Sequence, residues 1–84
     1  MENYKDVLEK EIEILESKIK SLPQEIRIGT YNAIGKDKGS KYLNENKVEI
    51  DKIVNELIEF YSTKYKNLLK EAKELLEKEE SKPE

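Results

Sequence analysis

The sequence predicts an all-α fold: a helical hairpin or three-helix arrangement with a long C-terminal helix, self-associating into a helical bundle. Three observations lead there. Apolar residues recur at three- and four-residue steps along two long segments, Glu and Lys fill the positions between them, and the only three glycines lie together in the middle. At 84 residues the chain makes one small domain, expected over residues 1-80, with a thin core. It has no Cys and no His. Disulfides and the usual zinc ligands are therefore absent, and association with other chains is the stabilising device that remains.

The first helix is expected over residues 3-21, where Tyr4, Leu8, Ile12, Leu15, Ile19 and Leu22 form the stripe and Val7 and Ile14 lie to one side. It should end at "SLPQ", which resembles a capping box: Ser21 offers its hydroxyl to the backbone, Gln24 reaches back, and Pro23 suits the first turn of a new helix. That second helix, expected over residues 22-35, would bury Ile26, Thr30, Ala33 and Ile34 and stop at Gly35. A third, capped by Ser40 or Asn44, is expected over residues 44-79. Its stripe runs through Leu43, Ile50, Val54, Leu57, Tyr61, Tyr65, Leu68, Ala72 and Leu75. Residues 81-84 should fray, because no stripe continues into them.

Helix length then bears on assembly. At ~1.5 Å per residue the third helix would span ~54 Å and the first only ~29 Å. The short helix cannot cover the long one, and an uncovered apolar stripe on a helix marks a partner surface. Ile53, Phe60, Tyr61, Tyr65, Leu68 and Leu75 are the interface residues this predicts. The expected partner is the protein itself, as a homodimer or higher oligomer. A second function class uses the same surface: a small inhibitor or adaptor that grips a protein target with Phe60, Tyr61 and Tyr65 as aromatic anchors.

Composition excludes several functions. The net charge is −3, from 16 basic and 19 acidic residues, which argues against nucleic acid as a partner, since phosphate contacts need a basic face. No apolar run reaches the roughly 20 residues of a membrane span, and the N-terminus lacks the basic and apolar regions of a signal peptide. A cytoplasmic protein with no membrane partner is expected. Fifteen Lys against one Arg, with many Ile and Asn, look like the coding bias of an AT-rich genome, such as that of a low-GC bacterium or its phage.

Catalytic chemistry finds no footing. Gly29 and Gly35 enclose five residues, Gly35-Lys36 is followed by Asp37, and no strand leads in, so neither a P-loop nor a Rossmann fingerprint is present. The carboxylates lie among lysines on solvated helix faces, and di-metal bundles add histidines that this chain lacks. No catalytic residue, metal site or cofactor is assigned, and the protein is expected not to be an enzyme.

Binding is left, and residues 26-42 hold the parts for it. Arg27, Lys36, Lys38 and Lys41 stand there against Asp37 alone, so the segment is +3 and the rest of the chain −6. The Arg27 guanidinium suits phosphate or carboxylate, and the lysines add mobile charge. Tyr31 and Tyr42 could stack on a base, while Thr30, Asn32 and Ser40 supply hydrogen bonds beside backbone that glycine leaves open. A small phosphorylated, nucleotide-like ligand is the specific expectation, as for a phage or bacterial sponge or regulator. The plain alternative is a solvated connection between helices, with Arg27 in a surface ion pair to Glu25 or to a neighbouring chain.

Overall fold

A computed structural model describes residues 3-81. Helix α1 spans Tyr4–Lys38, the short α2 spans Ser40–Glu45, and α3 spans Lys47–Ser81. The two long helices pack antiparallel as a hairpin, with α2 as part of the turn.

The Asn3 side chain caps α1 by accepting from the Asp6 amide at 2.9 Å. The expected break at "SLPQ" is absent, and α1 runs straight through Pro23. Proline inside a helix costs about 3 kcal/mol in isolation, but Leu8, Leu15 and Leu22 are each buried to about 5% exposure, with Ile12 and Ile19 half-buried between them and Ile26 half-buried beyond the proline. This alternation of four- and three-residue steps is a coiled-coil seam that crosses the proline and holds both sides in one line. Ser21 does not cap a new helix. Its hydroxyl oxygen lies 3.3 Å from the Lys18 carbonyl and 3.0 Å from Glu25 Oε1, so its single proton serves one of them at a time.

The helix also outruns Gly35, the expected stop, and ends at Gly39. The two glycines do different things. Gly39 has φ 91° and donates its N–H to the Gly35 carbonyl at 2.8 Å, a backbone shape that side chains resist. Gly35 is helical, and a Cβ there would come within 3.0 Å of the Leu43 side chain, so it makes room for α2. At Asn46 the chain jogs once more before α3, with both the backbone and the side-chain amide of Asn46 donating to the Tyr42 carbonyl. The C-terminal helix continues to Ser81; the remainder of the predicted frayed tail, residues 82-84, lies outside the described residues.

On α3 the buried row is Ile50, Val54 and Ala72, with Ile58, Tyr65, Leu69 and Leu76 half-buried. The predicted stripe shares Ile50, Val54, Tyr65 and Ala72 with this row, but its Tyr61, Leu68 and Leu75 are 40%, 42% and 40% exposed. The seam takes consecutive four-residue steps from Ile50 through Val54 and Ile58 to Ser62, which shifts it by one residue relative to a strict seven-residue repeat. A neighbouring apolar row is thereby left outside.

Each long helix has 35 residues, so both are ~52 Å long. The length mismatch that first suggested an uncovered stripe does not exist. The molecule is nonetheless thin, 64 × 23 × 14 Å with a radius of gyration of 18.5 Å, where a compact chain of this length has ~12 Å. Its smallest dimension is little more than one helix diameter of ~10–12 Å.

Candidate functional site

A hairpin one helix thick has two broad faces, and their chemistry follows from helix geometry. A residue just before a seam position is turned about 100° to one side of it. Because α1 and α3 run in opposite directions, residues just before the seam on both helices turn to the same face, and residues just after it turn to the other. On the first, or front, face lie Val7 and Ile14 of α1, beside Leu8 and Leu15. Ile53, Tyr61, Leu68 and Leu75 of α3 join them, beside Val54, Ser62, Leu69 and Leu76. Their exposures run from 40% to 58%.

Charged residues, Glu11, Lys18, Glu25, Glu49, Lys64 and Glu71, are interspersed with the apolar ones on the front face, and one pair of them is ordered. Lys18 Nζ donates to Glu25 Oε2 at 2.8 Å across two helical turns, with Ser21 between them. The hydrogen bond to Glu25 raises the Lys18 pKa, and the same bond, helped by Ser21, lowers that of Glu25. Neither the cluster nor its register was predicted from the sequence. The seven-residue separation of Lys18 and Glu25 was the signal available.

The back face is ionic. Lys73 reaches Glu16, and Arg27 reaches Asp51, each at 3.9 Å across the hairpin. Of the predicted ligand residues, Arg27 and Tyr31 come together here, in a groove with Leu43, Asn44, Lys47 and Asp51. The Tyr31 hydroxyl donates to Asp51, and this bond, with burial, raises the Tyr31 pKa. The ion-pair partner of Arg27 is thus Asp51, while Glu25 belongs to Lys18. Lys47 and Asp51 were not singled out from the sequence; they lie far along the chain, and only the hairpin register brings them to Arg27.

The other predicted ligand residues are spread out. Thr30 is half-buried and Asn32 exposed along α1. Lys36 is exposed near the helix end, Lys38 lies 3.8 Å from Asp37, and Lys41 lies 3.9 Å from Glu45. Ser40 is exposed at the start of α2. Tyr42 lines a different groove, with Ile34, Asp37, Lys38, Glu49 and Ile53. Tyr31 and Tyr42 thus line separate grooves.

The predicted interface residues fare differently. Ile53, Tyr61, Leu68 and Leu75 share the front face, Phe60 stands on its outer shoulder at 63% exposure with its ring edge-on to Tyr61 at 5.2 Å, and Tyr65 is half-buried in the seam. No helix among the described residues is long and apolar enough to cross a membrane. The chain matches no protein-family model, no curated protein and no solved structure.

Proposed function

We propose that this protein is a non-catalytic helical interaction module that self-associates through the front face of the hairpin. The observation that carries this reading is the alignment of exposed apolar residues from both long helices on one side, opposite a back face closed by ion pairs. A lone exposed Leu is unremarkable, but an apolar row from Ile53 to Leu75 along α3, joined by Val7 and Ile14 of α1, is what a partner helix buries. The test is the mass in solution across a range of concentrations, by light scattering or sedimentation. The wild type should have twice the chain mass, and Leu68→Glu should be monomeric with helicity retained. The back-face variant Glu16→Gln should leave the dimer intact. A monomeric wild type at ~100 μM, weaker than any stable assembly needs, sinks the proposal.

A second reading keeps a small anionic ligand, nucleotide-like in its phosphate, at the turn end of the hairpin. It is supported by Lys36 and Lys47, which have no ion pair among the described residues, and by Arg27, half exposed and only loosely held at 3.9 Å from Asp51. A sponge or regulator role would follow. Native mass spectrometry of the gently purified protein should then detect retained mass, lost in the double variant Arg27→Ala, Lys36→Ala.

A further inference from the structure

The front face has an internal order that selects one way for two copies to meet. On α3, Ile53 and Leu75 stand equally far from Lys64, and Tyr61 and Leu68 flank it by three and four residues. On α1, Lys18 and Glu25 flank Ser21 in the same way. Two contacts fix the relative height of the helices: Tyr31 meets Asp51, and Glu16 meets Lys73. Interpolating between them puts Ser21 level with residue 66, only ~3 Å along the axis from Lys64. The centres of the two patterns therefore coincide at mid-height.

From this we infer that the occupant of the front face is a second copy of the chain, packed end for end, so that α1 lies on the partner's α1, α3 on the partner's α3, and the turns point in opposite directions. The two-fold axis passes near Ser21 and Lys64. A two-fold interface brings each patch onto itself, so a residue i that meets j is answered by j meeting i. Here Lys18 of each copy meets the partner's Glu25, Leu68 meets the partner's Tyr61, and Ile53 meets the partner's Leu75. Four antiparallel helices result, each seam and each front face enclosed.

Charge favours this arrangement over the competing one, in which both turns lie at the same end and α1 rests on the partner's α3. In that arrangement α1 does not meet the partner's α1, so only end-for-end packing sets Lys18 of each copy against the partner's Glu25. Among the residues named, the like-charge meeting in end-for-end packing is Lys64 with its own copy, and the flexible lysine stem lets the ammonium swing outward. The surface available also fits. The chain exposes 6817 Å², whereas a monomeric protein of its mass exposes ~5,200 Å². The surplus is at least what one partner contributes to a standard interface, ~800 Å².

This inference rests on the self-association proposed above, and cysteine cross-linking of the full chain separates the two, because the protein has no cysteine of its own. Ser21→Cys should form a covalent dimer rapidly under mild oxidation. Lys20→Cys, one residue away but on the back face, should not. Should the protein be dimeric by mass while Ser21→Cys stays uncross-linked, the end-for-end arrangement is overturned and self-association stands. Cross-linking of Ser21→Cys only when mixed with Lys64→Cys would assign the same-end packing instead. A wild type monomeric by mass overturns both.

Discussion

The two broad faces of this hairpin are made from the same two helices, with the same alternation of Glu, Lys and aliphatic residues, and differ by one step along the sequence. The position after each seam residue carries Glu16, Arg27, Asp51 and Lys73, which pair across the back. The position before it carries Val7, Ile14, Leu68 and Leu75. The back face satisfies itself within one chain. The front face does not, and that contrast, rather than any single residue, separates a closed surface from one awaiting a partner.

The largest effect should come from the seam that both faces share. Leu22→Ala removes a residue 5% exposed from beside Pro23 and should cost about 2–5 kcal/mol in chemical unfolding; a loss below ~1 kcal/mol would mean that α1 does not depend on the seam to cross the proline. Next is the turn that lets the faces align. Gly39→Ala forces a side chain onto φ 91° and should cost about 1–3 kcal/mol. Its counterpart is Gly29→Ala, at an open helical position with nothing within 4 Å of the added Cβ, which should stabilise by about 0.5–1 kcal/mol. The smallest effect belongs to the back face: Asp51→Asn should change stability by under ~1 kcal/mol.

That last variant has a sharper readout in the Tyr31 titration. In the native protein Asp51 holds the phenol proton and raises the Tyr31 pKa. The stabilisation from this bond is complete below the ordinary tyrosine range and is lost as pH rises through the raised value. With Asn at position 51 the phenol should titrate closer to its ordinary range, as seen by difference absorbance against Tyr31→Phe.

The helical class and the first seam were legible because Leu8, Ile12, Leu15, Ile19, Leu22 and Ile26 repeat in steps that only a packed helix explains. The break at Pro23 was misread because "SLPQ" is a local signal, and packing on α3 outweighs it. On α3 two adjacent rows are apolar, so periodicity alone could not say whether Leu68 or Leu69 faces α1. The basic segment looked like one site because its residues are close in sequence. Once helical, they turn to different sides: Arg27 and Tyr31 to the back, Tyr42 to the front.

A hairpin joined at one end also folds as a zipper. Near the turn, Ile34 and Ile50 share a groove at a separation of about 16 residues, whereas Leu8 and Leu76 at the open end are about 68 apart. Closing the longer loop from a disordered chain costs roughly 1 kcal/mol more. Contacts beside the turn are thus the cheapest to form first, and each rung they set shortens the next. Amide protection from hydrogen exchange should rise from the open end toward the turn, giving the rod a built-in direction of assembly.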